Sequence, residues 1–377
     1  MSGIYIHIPF CRQACYYCDF HFSTSLSKKD AMILALKQEL YLRKEEFNNE
    51  QIETIYFGGG TPSLLETIEI DQIIGEISKN YKLAEMPEIT LEANPDDLSV
   101  NKIHELSDSS INRLSIGIQS FFDQDLKLMN RAHTTDDAHS CLDEARKHFD
   151  NISIDLIYGI PGLTNTRWEE NIAKALSYNL PHISSYALTV EPKTALKAFI
   201  EKGLIPDVDD ELAQEQFYML LNKLESEGFV NYEISNFGKE GYFSMNNTSY
   251  WQGKKYMGIG PSAHSYDGKK RGWNIRNNSK YLKSINQEIL PLEEETLTIT
   301  DRYNEYVMTG LRTIWGISLK KIQKEFGNMY LDYLLKQSEK YIKEGLLFTD
   351  KEMVGVTKKG KFLCDGIASD LFMIKLN

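Results

Sequence analysis

The chain has 377 residues, and 42 Lys and Arg stand against 54 Asp and Glu, which gives a formal net charge of −12. A composition of 42% hydrophobic and 25% charged residues is typical of a globular protein and excludes a disordered chain. The acidic balance argues against general nucleic-acid binding, which needs a basic surface, and the length predicts two or three domains or one large α/β barrel.

The first ten residues carry neither a basic segment nor a long apolar segment, so we expect no signal peptide. No apolar run reaches the ~18 residues that a membrane span requires. We therefore predict a cytoplasmic protein whose five cysteines stay reduced. Such cysteines are expected to be metal ligands, nucleophiles or buried apolar residues.

Short β-rich runs alternate with amphipathic stretches through the first half of the chain. Six runs of β-branched and aromatic residues, bounded by turn residues, predict strands at 4–8, 54–58, 88–93, 113–118, 152–158 and 183–188. Helices are predicted between them at 28–47, 68–81, 99–108, 134–148 and 167–178, with Ser99 and Thr134 as N-caps. Six βα repeats predict a parallel sheet, either a partial (βα)6 barrel or an open doubly wound sheet, with ligands at the carboxyl ends of its strands.

The regular alternation ends after residue 191. A helix is predicted at 210–228, and the acidic stretch 293–295 is interpreted as a linker or a solvated loop. Later helices at 301–313, 318–326 and 329–344 precede short strands at 346–349 and 353–357, a pattern typical of a small winged-helix-like domain. The predicted division is a core at 1–235, a connecting segment at 236–295 and a C-terminal domain at 296–377.

Three cysteines directly follow the first predicted strand with the spacing C-x3-C-x2-C. Cys11, Cys15 and Cys18 can bring three thiolates to one point, and thiolates suit iron–sulfur clusters or zinc. Three ligands would leave one iron of a [4Fe–4S] cluster open. Because His21 follows closely, a closed zinc knuckle is the alternative, and a buried cysteine cluster without metal is a third hypothesis. The position at the head of a βα array favours iron–sulfur.

The loop resembles that of the radical S-adenosylmethionine (radical SAM) superfamily, with the aromatic Tyr17 before the last cysteine. That resemblance implies a cluster whose open iron is chelated by the amino and carboxyl groups of S-adenosylmethionine (SAM). Reduction of such a cluster can cleave the sulfonium to a 5′-deoxyadenosyl radical. The fold class is then α/β, a partial (βα)6 radical SAM barrel with a smaller C-terminal α+β, winged-helix-like domain.

Glycines or polar residues stand at the ends of the other predicted strands. The glycines at 58–60 allow backbone amides to approach an anionic group, and they resemble the superfamily motif that binds the amino group of SAM. Glu92 can accept hydrogen bonds from ribose hydroxyls, and Arg131 can pair with a carboxylate. By analogy, the residues that match SAM-contacting positions are Tyr5, Tyr17, Gly59, Gly60, Thr61, Glu92, Gln119, Arg131 and Asp155.

The phrases LSIGIQSF, DLIYGIPG and YALTVEP resemble one subgroup, which contains the oxygen-independent coproporphyrinogen III oxidases (HemN) and the heme chaperones (HemW). Phe20 stands where the oxidases have a fourth cysteine, and their N-terminal extension is not found before Cys11. Residues 246–251 (NNTSYW) and 258–264 (GIGPSAH) resemble the chaperone signature H-N-x-x-Y-W and its glycine-rich sequel. These features favour the chaperones over the oxidases.

The resemblance implies a protein that binds a [4Fe–4S] cluster, SAM and heme, and delivers heme to hemoproteins without coproporphyrinogen oxidase activity. The acceptors implied by the family include those of the respiratory membrane, with which a cytoplasmic protein would associate peripherally. The alternatives are an oxidase-like radical SAM enzyme, a zinc-knuckle protein, and a nucleic-acid-modifying radical SAM enzyme, the last disfavoured by the acidic charge.

Heme-binding residues are predicted among Asn246, Asn247, Tyr250, Trp251 and His264. The chain departs from the chaperone signature at Asn246, where His is expected, and Asn is a poor iron ligand. Either that position does not bind iron, or His264, Tyr250 or Met245 supplies the bond. The two remaining cysteines are predicted to be buried apolar residues, Cys141 and Cys364.

Overall fold

The six strands predicted in the first half of the chain form one parallel sheet. They are hydrogen-bonded in chain order and are β1 (Ser2–Ile8), β2 (Gln51–Gly59), β3 (Lys82–Ala93), β4 (Arg113–Gln119), β5 (Ile152–Tyr158) and β6 (His182–Ala187). Their Ile, Leu and Phe side chains, apart from the partly buried Leu83, are almost fully buried, as expected of strands covered on both faces. The computed structural model, which describes residues 2–47 and 50–374, therefore has the predicted βα core.

Helices alternate with these strands. They are α1 (Lys29–Leu42), α2 (Thr67–Asn80), α3 (Val100–Ser107), α4 (Asp123–Leu128), α5 (Thr135–Ala145) and α6 (Asn165–Ser177). Five of them were predicted from their amphipathic pattern, and the short α4 was not. The predicted N-caps are confirmed, because Ser99 Oγ accepts from Lys102 N and Thr134 Oγ1 accepts from Asp137 N, both at 3.3 Å. The first helix is shorter than predicted: α1 ends at Leu42 and a separate 3-10 turn follows.

The sheet continues beyond both edges of the parallel core and has twelve strands within the described residues. The further elements are α7 (Ala195–Glu201), α8 (Asp210–Ser226), β7 (Val230–Glu233), β8 (Asn236–Gly238), α9 (Met245–Trp251), β9 (Lys255–Ile259), β10 (His264–Tyr266), β11 (Lys270–Asn274), α10 (Asn278–Ile285) and β12 (Leu292–Thr296). Strand β8 pairs with β6, and β9 pairs in parallel with β1.

The interpretation of residues 293–295 as a linker or loop is wrong, because they lie within β12, the edge strand of the sheet. Strand β12 pairs antiparallel with β11. Lys270 Nζ lies 3.3 Å from Glu294 Oε2, and Arg271 Nη1 lies 3.9 Å from Glu295 Oε1. Opposite charges across the strand pair stabilise an acidic strand that looks like a loop when considered alone.

The C-terminal domain has its own hydrophobic core and a three-stranded sheet ordered β13-β15-β14. Its elements are α11 (Ile299–Leu311), β13 (Ile317–Ser318), α12 (Leu319–Phe326), α13 (Asn328–Lys343), β14 (Leu347–Thr349), β15 (Met353–Val356) and α14 (Cys364–Asp370). The order helix, strand, two helices, two strands is that of a winged helix, as predicted. The boundaries at 235 and 295 stay a prediction, since β8 to β12 continue the sheet of the core.

A buried ion pair on α1 fixes the loop between β9 and β10. Arg43 Nη1 donates to Gly258 O at 2.8 Å, and Glu39 Oε2 accepts from Gly260 N at 2.8 Å and from Tyr281 OH at 2.6 Å. These bonds hold the glycine-rich segment against the first strand. Within the described residues, no helix combines the length and apolar character that crossing a bilayer requires.

Candidate functional site

A cavity of about 920 Å³ brings two separate groups of predicted residues together. One group comes from the parallel core and consists of Tyr5, Gly59 and Glu92. The other comes from the second half of the chain and consists of Asn246, Asn247, Tyr250, Trp251 and His264. The volume is near the upper end of the ~300–1,000 Å³ range of small-molecule sites.

The cysteine loop is anchored at both of its ends and in its middle. Cys11 N donates to Ser23 O at 3.1 Å, and Tyr16 N donates to Met129 O at 3.1 Å. Cys11, Cys15 and Cys18 are half-buried and carry free thiols, whereas the other two cysteines, Cys141 and Cys364, are buried as predicted. Partial exposure beside a cavity suits ligands, and full burial suits packing residues.

The spacing of the three thiols bears on which metal they suit. A single tetrahedral zinc with bonds of about 2.3 Å to sulfur holds its ligand atoms within roughly 4 Å of each other. Among the described residues, the one set of three such ligand atoms within 4.8 Å of one another is His104, Glu144 and His148. The three cysteine sulfurs do not form such a set, and as three thiolates they are donors that suit an iron–sulfur cluster as well as zinc.

Arg131 links the cysteine loop to the ends of β3 and β4. Its Nη1 lies 3.5 Å from Cys15 Sγ, and its Nη2 donates to Asn94 Oδ1 at 2.6 Å and to Gly117 O at 3.0 Å. Its Nε is buried without a hydrogen-bond partner. An unpartnered guanidinium nitrogen next to three thiols can bind the carboxylate of a ligand.

The turn after β2 approaches the start of the cysteine loop through backbone hydrogen bonds. Gly60 N donates to Ile8 O at 2.8 Å, and Thr61 N donates to Phe10 O at 2.7 Å. A Cβ on Gly60 would lie 2.5 Å from Phe10 O, so only glycine fits there. Burial raises the pKa of the Cys11 thiol to about 11, and its hydrogen bond with Thr61 opposes that shift.

Glu92 stands at the end of β3 and receives hydrogen bonds from β2. Its Oε1 accepts from Tyr56 OH at 2.8 Å, and its Oε2 accepts from Gly59 N at 3.2 Å. Gly59 has a φ of 110°, in the left-handed region that favours glycine. Desolvation raises the pKa of Glu92 to about 7, with the charge of Asp155 adding to the shift. This carboxylate lies on the cavity wall, where ligand hydroxyls or an ammonium group can reach it.

The other predicted SAM contacts are not among the described residues that line the cavity. They are Tyr17, Gly60, Thr61, Gln119, Arg131 and Asp155. Gln119 ends β4 with a φ of 63°, a strained conformation of the kind that concentrates at functional sites. Asp155 Oδ1 accepts from Ser115 Oγ at 3.4 Å, and desolvation raises the pKa of Asp155 to about 6.

The NNTSYW motif forms α9, and a buried carboxylate of β3 holds the start of that helix. Glu88 accepts from the backbone N–H groups of Met245 and Asn246, each at 3.0 Å. Asn246 Oδ1 accepts from Thr54 Oγ1 at 3.2 Å, so its side chain is tied to β2. Met245 does not line the cavity described here, whereas Tyr250 lines it and is 51% exposed.

Sequence reasoning missed several cavity residues. Phe20 and His21 line the cavity from the cysteine loop, and Phe20 is 69% exposed. His21 Nε2 lies 2.7 Å from Asn278 Oδ1, at the start of α10. The sequence contains a signal for Phe20, because an aromatic residue stands where the oxidases have a fourth cysteine. It contains no signal for the contact between His21 and Asn278.

The cavity wall is basic although the chain is acidic. Three carboxyl residues line it, Asp19, Glu92 and Glu233, against five cationic residues, Lys254, Lys255, Arg271, Arg276 and Arg312. Arg312 also lies over the ring of Trp251, with 5.1 Å between its guanidinium carbon and the ring centroid. Four of these cations also lie within 4.0 Å of carboxylates outside the wall, so only part of their charge is available to an anionic ligand; the pairs are Lys254–Glu53, Lys255–Glu50, Arg271–Glu305 and Arg312–Asp365.

Comparisons with known proteins show which families the chain resembles. The model of the radical SAM superfamily matches residues 5–175, and that of the HemN C-terminal domain matches residues 297–363. The heme chaperone HemW of Bacillus subtilis (strain 168) is 35% identical over 368 residues, 96% of this chain and 97% of that protein. The heme chaperone HemW of Lactococcus lactis is 34% identical over 97% of this chain and 98% of that protein.

The fold also matches a solved structure along nearly its whole length. Coproporphyrinogen III oxidase (HemN) from Escherichia coli, a radical SAM enzyme, aligns with a TM-score of 0.86 over 99% of this chain and 90% of that chain. The two sequences are 22% identical, and the match concerns the fold.

Proposed function

The chain belongs to the HemW family of heme chaperones, within the radical SAM superfamily, and from this premise we propose that it binds a [4Fe–4S] cluster, SAM and heme and delivers heme to hemoproteins. The observation that carries the proposal is the shared cavity, whose wall contains both superfamily strand-end residues and the NNTSYW helix. A cavity of about 920 Å³ has room for more than one small ligand.

Cys11, Cys15 and Cys18 would hold the cluster, which supplies an electron to bound SAM when it is reduced. Arg131 compensates the negative charge of the thiolates, because its Nη1 lies 3.5 Å from Cys15 Sγ. Glu92 and Gly59 form the wall that orients the SAM ribose and amino group. The unpartnered Nε of Arg131 supports a role in binding the SAM carboxylate.

Heme is the cargo, and two properties of the cavity support its binding. The basic residues of the wall suit the two propionates, whose charge is negative at neutral pH. The aromatic rings of Phe20, Tyr250 and Trp251 suit the flat porphyrin faces. We assign the iron bond to His264, since imidazole is a common heme ligand and the Nε2 of His21 is already bonded to Asn278.

The decisive experiment is anaerobic cluster reconstitution followed by hemin titration, monitored by absorbance. The wild-type protein should bind iron and sulfide, then one hemin. The triple variant of Cys11, Cys15 and Cys18 to Ala should lose the cluster, and His264→Ala should alter the heme spectrum and weaken hemin binding. The matched controls are Cys141→Ala and His139→Ala, which change the same residue types outside the cavity. Stoichiometric zinc in place of iron, lost in the triple cysteine variant, would overturn the proposal.

A second assay separates the chaperone from the oxidase. The reconstituted protein is incubated anaerobically with coproporphyrinogen III, SAM and a reductant. We expect no protoporphyrinogen, because Phe20 stands where the oxidases have a fourth cysteine. Transfer of bound heme to an apo-hemoprotein, measured by the spectrum of the acceptor, is the positive test of delivery. Formation of protoporphyrinogen would contradict the assignment.

A further inference from the structure

Three side chains outside the cavity converge on one point between α3 and the end of α5. We propose that His104, Glu144 and His148 form a binding site for a divalent transition-metal ion, of which Zn²⁺ is the representative. Their ligand atoms lie within 4.8 Å of one another. The proposal is independent of the cysteine loop and of the heme cavity, because it uses none of their residues.

The distances match those of a metal site before any ion is added. Glu144 Oε1 lies 3.1 Å from His104 Nε2 and 3.1 Å from His148 Nε2. A tetrahedral zinc with bonds of about 2.0–2.1 Å to nitrogen and oxygen needs its ligand atoms roughly 3.3 Å apart. The imidazole centroids are 4.5 Å apart, and both Nε2 atoms approach the same oxygen. An ion would need only small side-chain movements.

Secondary structure accounts for the convergence. His104 lies in the last turn of α3. Glu144 lies in the last turn of α5, and His148 follows it by four residues, the spacing that places two side chains on one face of a helical turn. Packing of α3 against α5 then brings the third ligand from a different element. A site formed by two elements is more rigid than one on a single helix.

A neighbouring lysine orients the carboxylate of Glu144. Lys147 Nζ donates to Oε2 at 2.6 Å, which leaves the metal-facing Oε1 to the two imidazoles and fixes the orientation of the carboxylate. Outer partners of this kind orient ligands at established metal sites.

The donor set indicates the class of ion. Two imidazoles and one carboxylate suit zinc, copper, nickel or ferrous iron, and do not suit calcium or magnesium, which prefer oxygen ligands. The side chain of His104 is 54% exposed and that of Glu144 is 15% exposed. The remaining coordination positions therefore face solvent, where water can occupy them. The bound ion would connect α3 to α5 on the surface of the βα core.

The experiment is a calorimetric Zn²⁺ titration of the full chain after cluster reconstitution, with cluster content measured before and after. We expect one zinc site in the wild type, and at least about tenfold weaker binding in His104→Ala, Glu144→Gln and His148→Ala. His139→Ala is the matched control, because His139 also lies on α5 but pairs with Tyr178. Circular dichroism of each variant verifies its folding.

The outcomes distinguish this site from the cysteines. If the cluster does not assemble, zinc on the cysteine loop contributes equally to the wild type and to the histidine variants, so their difference still reports the proposed site. Zinc should also raise the melting temperature of the wild type and not that of His104→Ala. Equal zinc affinity in the wild type, His104→Ala and His148→Ala would overturn the inference.

Discussion

Glu88 Oε1 accepts the backbone N–H of Asn246 at 3.0 Å, and this bond joins the central strand β3 to the helix of the NNTSYW motif. The two residues are 158 positions apart in the chain. Glu88 is buried, and Arg113 Nε lies 4.0 Å from its other oxygen. The orientation of Tyr250 and Trp251 in the cavity therefore depends on a carboxylate that does not line it.

The first prediction concerns this positioning residue. Glu88→Gln replaces a charged acceptor with a neutral one and leaves Arg113 without its counter-charge, which should lower the free energy of unfolding by about 1–3 kcal/mol. Hemin affinity should fall as well, because α9 loses its anchor. Glu85→Gln, on the exposed part of the same strand, is the control and should change neither quantity. Hemin titration measures the affinity, and urea unfolding measures the free energy of unfolding. Unchanged hemin affinity in a folded Glu88→Gln protein would contradict the positioning role.

The second prediction concerns the glycine on the cavity wall. Gly59→Ala should weaken SAM binding about tenfold or more, because φ is 110° and a Cβ would lie 2.5 Å from His7 Nδ1. Gly75→Ala is the matched control, since a Cβ there meets nothing within 4 Å. As Gly75 lies in the middle of α2, that control should stabilise the fold by about 0.5–1 kcal/mol. Calorimetry measures the SAM affinity of the two variants, and thermal unfolding measures their stability. Equal SAM affinity for Gly59→Ala and Gly75→Ala would contradict the prediction.

The third prediction is a pH dependence of stability that arises from Glu92. Its pKa rises from 4.5 to about 7 in the folded state, so the native protein binds more protons than the unfolded chain between these values. The contribution of Glu92 to the free energy of unfolding should therefore fall as the pH rises through this window, by at most about 3 kcal/mol. Asp155, with a pKa raised to about 6, acts in the same direction. Buried imidazoles such as His7 and His133, whose pKa burial lowers to about 4, act in the opposite direction, so the effect of Glu92 is the difference between the wild type and a Glu92 variant.

Urea unfolding of the protein without cofactors, at several values between pH 4.5 and 8, measures this dependence. The wild-type free energy of unfolding minus that of Glu92→Gln should fall as the pH rises, since the other groups titrate in both proteins and cancel in the difference. A difference that stays constant between pH 4.5 and 8 would show that Glu92 ionises normally.

The fourth prediction concerns Phe20. Phe20→Ala should lower hemin affinity while changing the free energy of unfolding by no more than about 0.5 kcal/mol, because an exposed side chain contributes little to packing. Leu204→Ala is a matched control: both side chains are 69% exposed, and Leu204 lies outside the cavity. Hemin titration of the two variants distinguishes a ligand contact from general loss of apolar surface. If Leu204→Ala and Phe20→Ala bind hemin equally well, Phe20 has no part in the site.

The sequence by itself determined the βα core, the winged-helix order and the cysteine loop after β1, because each depends on a local pattern of hydrophobic residues, caps and spacing. It misjudged residues 293–295, since the charges that stabilise β12 come from the neighbouring strand β11. The composition of residues 293–295 does not show which strand will pair with them.

Only the tertiary structure decided which residues share the cavity. Strand β9 pairs in parallel with β1, with Tyr5 opposite Gly258, and this pairing brings His264 and α9 to the ends of the first strands. Contacts such as His21 with Asn278 and Glu88 with Asn246 join positions far apart in the chain. Hydrophobic periodicity over a few residues specifies each helix or strand. The site, in contrast, depends on how elements that are distant in the chain pack together.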